Sequence, residues 1–480
     1  MPMSTPTATI PPAAQALFAQ GVRHLGAGDA QCAQRSFSQA LDIAPGFAEA
    51  HANLGWLLHR AGQLEAAEAH LRRAVQLQPH LAQAQLNLGA LLAQIKHLDE
   101  AELAYLAATR ARPDDPAAWS NLGALYASTG RDTEAEAALQ HALSLSPQHD
   151  KAQFNLSYLL LRQGRFEEGW RRFESRDWYA ALAQHLPCPR WQGQPLAGTR
   201  LLITYEAGHG DMIHFIRYAP LLKAQGAAHL TLLCHPALKR LMALLPALDA
   251  VIGFDEALPD ARWDCWTPLM SLPFHLGTRL GPPSSNLPAT LPYLQPSQAL
   301  RGQWHARLPK DVLRIGLAWK GNPRFENDAD RSLPSLDVLA PLAGVPGVCF
   351  VSLQKGAGEE EVRCPPAGMR WQALHRPLED FLDTASLIDC LDLVISVDSA
   401  AAHLAGALGK PCWVLLPAYM PDWRWLQGRD DSPWYPGVMR LFRQTSAGHW
   451  GPVVQEVARQ LTGFAQAATR PLCNDRAVDY

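Results

Sequence analysis

Apolar and polar positions follow two different rhythms along the chain, and the change falls near Arg176. Before it, residue types recur in a step of 34: Pro45, Pro79, Pro113 and Pro147, then Asn53, Asn87, Asn121 and Asn155, then Leu54, Leu88, Leu122 and Leu156. Gly55, Gly89 and Gly123 keep the step, with Ser157 in the next place. So do Ala33, Ala67, Ala101 and Ala135, and the large residues Phe37, Leu71, Tyr105 and Leu139. Such a period predicts stacked helix pairs, because each pair has an apolar stripe it cannot bury alone and small positions let two backbones approach. The units run from Ala14 to Phe47 and on to Leu81, Asp115 and His149. A fifth, from Asp150, keeps Leu156 and Phe173 but has Gly169 where alanine recurs, which marks a transition.

After a linker rich in Pro and Gly (Pro187, Pro189, Gly193, Pro195, Gly198), apolar residues come in short continuous runs. Arg200–Thr204, His229–Leu233, Ala250–Ile252, Val312–Trp319, Cys349–Leu353, Leu391–Val397 and Trp413–Leu416 read as buried strands of parallel α/β units. Leu287–Pro309, with four prolines, reads as a connection between two such halves. Pro452–Ala467 reads as an amphipathic helix through Val454, Val457, Leu461 and Phe464, crossing back to brace the first half, with a loose tail after Pro471.

Two strand-to-helix turns carry candidate chemistry. In Val394–Pro411 a buried strand runs into a helix that Asp398 or Ser399 can cap and that Gly409 and Pro411 end. Its first-turn amides and dipole suit a phosphate, the small residues Ser399 to Ala402 leave room for one, and His403 lies one turn in. An ordinary crossover with a well-placed cap is the competing interpretation. In Glu206–Asp211 the glycines Gly208 and Gly210 permit a tight turn, and Asp211 is either the cap of the next helix or a carboxylate poised as general base.

A net charge of −3 gives no reason to expect nucleic acid, and no apolar run is long enough to span a membrane. The start of the chain, Met1–Ala14, lacks the pattern of a signal peptide, and nine scattered cysteines without CxxC pairs suit reduced thiols, so a cytoplasmic protein is expected. Asp328–Ala329–Asp330 mimics a metal-binding DxD motif but falls in a loop, so it reads as a solvated loop and no metal site is expected.

The repeat resembles the tetratricopeptide repeat, over residues 14–176. Such arrays imply a concave groove for protein or peptide, where Asn53, Asn87, Asn121 and Asn155 would either bond an extended backbone or satisfy helix ends within the array. From about Leu186 onward the chain resembles the heptosyltransferase-like family of glycosyltransferases, family 9. Four blocks carry the likeness: Glu206–Tyr218, Gly316–Pro334, Ser352–Gly356 and Asp398–Pro411 with Pro421–Trp425. The resemblance implies the GT-B fold, two Rossmann-like halves (200–297 on the acceptor side, 310–467 on the nucleotide-sugar side) after a linker at 177–199. The fold class expected is thus an all-α tetratricopeptide solenoid followed by α/β.

The resemblance further implies a metal-independent, inverting transfer with a nucleotide-sugar as co-substrate and no cofactor. Asp211 matches the family's general base, and Asp398, Ser399, Ala400 and His403 match its donor loop, with His403 counted as catalytic. Lys320 and Arg331 lie in the block that clamps the diphosphate, Arg331 being the better positional match with a guanidinium fork suited to phosphate. Lys355 to Glu361 would approach the nucleoside, with Glu360 or a neighbouring glutamate on the ribose. The chain departs from the family at Ala207, His209, Ser399 and Ala400; His209 reads as space-filling. Trp423, Arg424 and Trp425 could stack on a ligand or belong to the core, and Trp434 and Tyr435 read as packing. Three functions stand at this point: a transferase with a protein or peptide acceptor, a transferase acting on lipopolysaccharide or another glycan, and an inactive repeat scaffold.

Overall fold

The computed structural model describes residues 9–469 apart from 260–261, 282–284 and 375. The tail after Pro471, Cys473 and the first eight residues lie outside the described residues. Contacts divide the chain into two units, Met1–Leu159 and Leu160–Tyr480.

The first unit is helical throughout. Its pairs are Pro12–Gly26 with Ala30–Ile43, Ala48–Arg60 with Leu64–Leu77, Ala82–Gln94 with Leu98–Ala111, and Pro116–Ser128 with Asp132–Leu145. The repeating glycines explain the pairing. A Cβ on Gly55 would lie 2.7 Å from Leu71, on Gly89 2.6 Å from the Tyr105 ring, and on Gly123 2.6 Å from Leu139. Gly21 completes the series, 2.6 Å from Phe37. Each first helix thus gives up a side chain so that one large residue of the second can enter, and Phe37, Leu71, Tyr105 and Leu139 are all buried. The turns within the pairs use a left-handed residue in the same register: Gly28, Gly62 and Gly130 have φ of 78°, 75° and 77°, and Lys96 takes the equivalent place at 63°.

The second unit holds two parallel sheets. One has the order β3-β2-β1-β4, from β1 (Arg200–Thr204), β2 (His229–Cys234), β3 (Ala250–Gly253) and β4 (Cys265–Pro268). The other has the order β10-β9-β8-β5-β6-β7, from β5 (Leu313–Ala318), β6 (Val348–Ser352), β7 (Trp371–Gln372), β8 (Leu393–Val397), β9 (Cys412–Leu416) and β10 (Met439–Arg443). The order reverses beside β1 in the first sheet and between β5 and β8 in the second, where Ile315 pairs with Leu393 and Ala318 with Ser396. Ligands of open α/β sheets bind outside the carboxyl ends of strands at such reversals. The turns that follow β1, β5 and β8 are those singled out from the sequence.

Two segments pack differently from expectation. The helix Trp450–Thr469 buries Val453, Val454, Val457 and Leu461 in the core of the second half, with Leu336, Leu339 and Leu342, rather than bracing the first. Its apolar stripe covers one face of β5–β10 together with Leu336, Leu339 and Leu342. Residues 166–176, expected to close the repeat array, pack into the second unit. Phe166 stacks on Trp434 at 5.5 Å, and Trp170 meets Trp423 edge-on at 5.0 Å. Arg176, fully buried, donates to both oxygens of Glu206 at 2.6 and 3.0 Å and to Ser271 at 2.8 Å. Glu206, just after β1, is therefore a structural anchor.

Candidate functional site

The turn after β1 is closed by Asp211 itself. Ala207 holds a left-handed φ of 58°, and the Gly208 amide donates to Asp211 Oδ2 at 2.8 Å, so the carboxylate does cap the helix His209–Phe215. That uses one oxygen. Oδ1 accepts from Arg424, 213 residues further on, and the carboxylate keeps 22 % of its surface. Burial raises the Asp211 pKa, the Arg424 charge opposes the rise, and Asp422 adds to it.

Arg424, for which the sequence allows either stacking on a ligand with its flanking tryptophans or a place in the core, belongs to the core. Its side chain is 5 % exposed, lies over the Phe215 and Trp423 rings, and donates to both oxygens of Asp422 at 2.9 and 2.8 Å. Trp423 and Trp425 are each 1 % exposed, so this stretch is core rather than a stacking platform. A signal was present: an arginine between two tryptophans is headed for burial, and a buried guanidinium needs carboxylates.

The opposing wall is the turn after β8. Ser399, not Asp398, caps the helix Ala400–Ala407, accepting from the Ala401 amide at 3.2 Å and bonding Ser396 Oγ at 2.8 Å. Asp398 is buried at the end of β8, near Asp422, Arg331 and Arg424, and burial with the Asp422 charge pushes its pKa up. The walls meet where side chains are missing: a Cβ on Gly210 would lie 3.6 Å from Ala400 Cα and 3.0 Å from His403 Cδ2. The small residues at 399–401 thus receive the Gly210 turn as well as leaving room for an anion. His403 is buried and stacks on Trp425 at 5.1 Å and 16°, and its Nδ1 lies 2.8 Å from the Tyr435 hydroxyl. Burial, reinforced by Arg424, lowers its pKa well below the ordinary value, so the ring is neutral.

The loop after β5 brings Arg331 toward this centre. Arg331 lies over Phe325 at 4.4 Å, donates to Asp328 at 3.2 Å, and acts electrostatically on Asp211, Asp398 and His403. Asp328 is not solvated. It is buried and also accepts from Ser332 Oγ at 3.0 Å. The DxD-like triplet thus opens the short helix Asp328–Arg331 rather than lying in a loop: Asp328 anchors Arg331, Ala329 is exposed and Asp330 is half-buried.

Of the other expected donor residues, Lys320 and Lys355 are held by local partners. Lys320 Nζ donates to Glu361 at 2.5 Å, and Glu361 also accepts from Trp319 Nε1 and the Leu336 amide. Lys355 is exposed and pairs with Glu359 at 3.1 Å, while Glu360 is exposed on the same turn. His209 packs against His235 at 4.4 Å and Phe381 at 5.0 Å, and burial lowers its pKa to about 4. In the repeat unit Asn53, Asn87 and Asn121 fall on the first helix of successive pairs, and Asn155 falls on Asp150–Arg162. Asn87 is buried and accepts from Gln83 at 3.0 Å; the other three are partly exposed. Among the described residues one trio offers metal-type donors, His24, Asp29 and Cys32, far in sequence from the turns above. There Asp29 caps a helix by accepting the Cys32 amide, and Arg35 donates to Cys32 Sγ.

Comparison with known proteins matches this architecture. Tetratricopeptide-repeat profiles match residues 24–74, 77–116, 86–150 and 133–169. The glycosyltransferase family 9 (heptosyltransferase) profile matches residues 343–416, from the end of the 3-10 helix Leu336–Gly344 through β9, and includes Asp398 to His403. The protein FlbA of Caulobacter vibrioides (strain ATCC 19089 / CIP 103742 / CB 15) is 33 % identical over 331 residues, 63 % of this chain and 53 % of FlbA. The chain therefore spans about half the length of that relative. Among solved structures, MamA (41-end) from Desulfovibrio magneticus RS-1 is 21 % identical, covering 37 % of this chain and 99 % of its own, with a TM-score of 0.30. PilF of Pseudomonas aeruginosa is 22 % identical, covering 34 % and 75 %, with a TM-score of 0.32. No helix among the described residues is long and apolar enough to cross a membrane. The chain joins tetratricopeptide repeats in its N-terminal region to a glycosyltransferase family 9 (heptosyltransferase) domain in its C-terminal region.

Proposed function

We propose that the protein transfers a sugar from a nucleotide-sugar to an acceptor hydroxyl, and that the repeats select a protein or peptide carrying that hydroxyl. The observation that carries this reading is the meeting of Asp211, from the turn after β1, with Arg424 and the Asp398–His403 turn at the strand-order reversals of both sheets. Asp211 takes the acceptor proton: one oxygen is fixed by the Gly208 amide, burial raises its basicity, and Arg424 keeps it ionised. Arg331 and the first turn of Ala400–Ala407 meet the charge that develops on the leaving diphosphate, which is the part a bound metal plays elsewhere. Lys355 and Glu360 serve the nucleoside from the exposed turn. Asn53, Asn87, Asn121 and Asn155 serve the peptide.

A scaffold without turnover is the second reading. It is favoured by the pairing of Lys320 with Glu361 and of Arg331 with Asp328, which a diphosphate must displace or share. Thermal shift and calorimetry with UDP-, GDP-, ADP- and dTDP-sugars separate the two, because a ligand that binds the folded state raises its melting temperature by mass action. One class of sugar nucleotide binding in the micromolar range supports the transferase. A folded protein that binds none of them overturns it.

A further inference from the structure

Three buried side chains form a bridge between the two sheets that the mechanism above does not use. The Tyr435 hydroxyl lies 2.8 Å from His403 Nδ1 and 3.1 Å from His214 Nδ1. His214 is fully buried on the helix His209–Phe215 of the first half; Tyr435 and His403 belong to the second. The position of the hydroxyl is held firmly. The Tyr435 ring fills the space left by Gly406, and the Arg217 guanidinium lies 4.5 Å from its centroid, tied to Trp434 O at 2.6 Å and to the Tyr293 hydroxyl at 2.9 Å.

The third neighbour of the Tyr435 hydroxyl, the Tyr293 hydroxyl, already accepts from Arg217 at 2.9 Å and donates to Ile213 O at 3.0 Å. The one phenol proton of Tyr435 therefore goes to one imidazole nitrogen, and its oxygen accepts from the other. The remaining atom of His214 decides which. His214 Nε2 is buried with no hydrogen-bond partner among the described residues, its ring lies edge-on to Trp434 at 4.6 Å, and Arg217 and Arg424 are its charged neighbours. If Tyr435 donated to His214, an N–H would be left at that position without an acceptor and facing cations. If Tyr435 accepts from His214 Nδ1–H instead, a bare lone pair is left there, which the cations favour and which costs less than an orphaned donor. Tyr435 then donates to His403 Nδ1, and the proton of His403 sits on Nε2. That nitrogen borders Cδ2, the edge that faces Gly210 beside Asp211.

We infer that His214 and Tyr435 are positioning residues that hold His403 as the Nε2–H tautomer, so that it serves the transfer as a neutral hydrogen-bond donor and not as a base. The catalytic consequence rests on the transferase reading; the tautomer does not. An Nε2–H donor aimed into the centre suits an oxygen of the sugar nucleotide, where it adds to Arg331 without adding charge.

The test is nitrogen-15 histidine spectroscopy on the full-length protein, with His403 and His214 assigned by His403→Asn and His214→Asn. Long-range proton–nitrogen correlations are expected to show the proton on Nε2 for His403 and on Nδ1 for His214, and Tyr435→Phe is expected to shift the His403 pattern. A proton on His403 Nδ1, or a pattern that Tyr435→Phe leaves unchanged, overturns the relay. Turnover supplies the second arm. Tyr435→Phe should lower kcat about five- to tenfold, the worth of one hydrogen bond, with sugar-nucleotide affinity unchanged. His214→Asn, whose amide can still donate from the Nδ1 position, should keep wild-type kcat, whereas His214→Leu should fall with Tyr435→Phe. Equal losses in the two His214 variants would mean packing alone and would overturn the positioning role. The expected tautomers with unchanged turnover in His403→Asn would instead leave the relay standing and remove His403 from the transferase reading.

Discussion

The repeat unit and the second unit, with its two parallel sheets, both bury apolar side chains but encode their decisive contacts in opposite ways. In the repeats each close approach joins residues 16 positions apart, as Gly89 does with Tyr105, and the same pair recurs one step later as Gly123 with Leu139. In the second unit the decisive contact joins Asp211 to Arg424, and it follows no repeat of the sequence. A local contact made many times leaves a period in the sequence. A distant contact made once leaves only two residues whose burial needs explaining.

The largest expected effect breaks that single contact. Arg424→Ala leaves Asp211 and Asp422 without their guanidinium in a mostly buried site and should cost about 3 kcal/mol or more of unfolding free energy, measured by urea denaturation. Adding Asp211→Asn to it should recover part of the loss, because the stranded charge is removed. A double variant no more stable than Arg424→Ala would mean that the guanidinium acts through packing on Phe215 and Trp423 instead.

A smaller effect is expected in the repeats. Gly89→Ala places a methyl group 2.6 Å from the Tyr105 ring and should destabilise by about 1–3 kcal/mol, despite the better helix propensity of alanine. Because the array shares the contact among similar pairs, Gly55→Ala should cost a similar amount against Leu71, and a large difference between the two would deny the equivalence. The smallest effect has the opposite sign. Lys96 occupies a left-handed position that Gly28, Gly62 and Gly130 fill in the other pairs, so Lys96→Gly should raise stability by up to about 1 kcal/mol. A loss would show that the lysine side chain contributes more than its backbone costs.

This contrast explains what was legible in the sequence. The helix pairs, the parallel strands and the turns that follow β1, β5 and β8 all follow from local patterns, and the structure has them where the patterns lie. Gly21 escaped because the first unit lacks some of the other recurring residues, although it obeys the same step. The C-terminal helix was legible as amphipathic, but an apolar stripe does not say which sheet it covers, and it covers the second. Asp328 looked solvated because a short acidic triplet resembles a surface loop; only the fold supplies Ser332 and Arg331 as partners. Asp211 offered cap or base as alternatives. The structure gives one oxygen to the cap and the other to Arg424, so the two are compatible. The pairing of Arg424 with Asp211 and the His214–Tyr435–His403 bridge were beyond reach because each joins segments brought together only when both sheets have formed.

The central claim is that Asp211 is a base held ready by Arg424. The most direct measurement compares wild-type protein and Asp211→Asn for sugar-nucleotide affinity by calorimetry and for transfer rate to acceptor. Asparagine is nearly the same shape and keeps an oxygen for the Gly208 amide. The account predicts equal donor affinity, with transfer lowered by roughly a hundredfold to ten-thousandfold, the range that general bases supply. Donor binding lost together with transfer would make Asp211 a structural cap, and transfer undiminished in the variant would contradict the account outright.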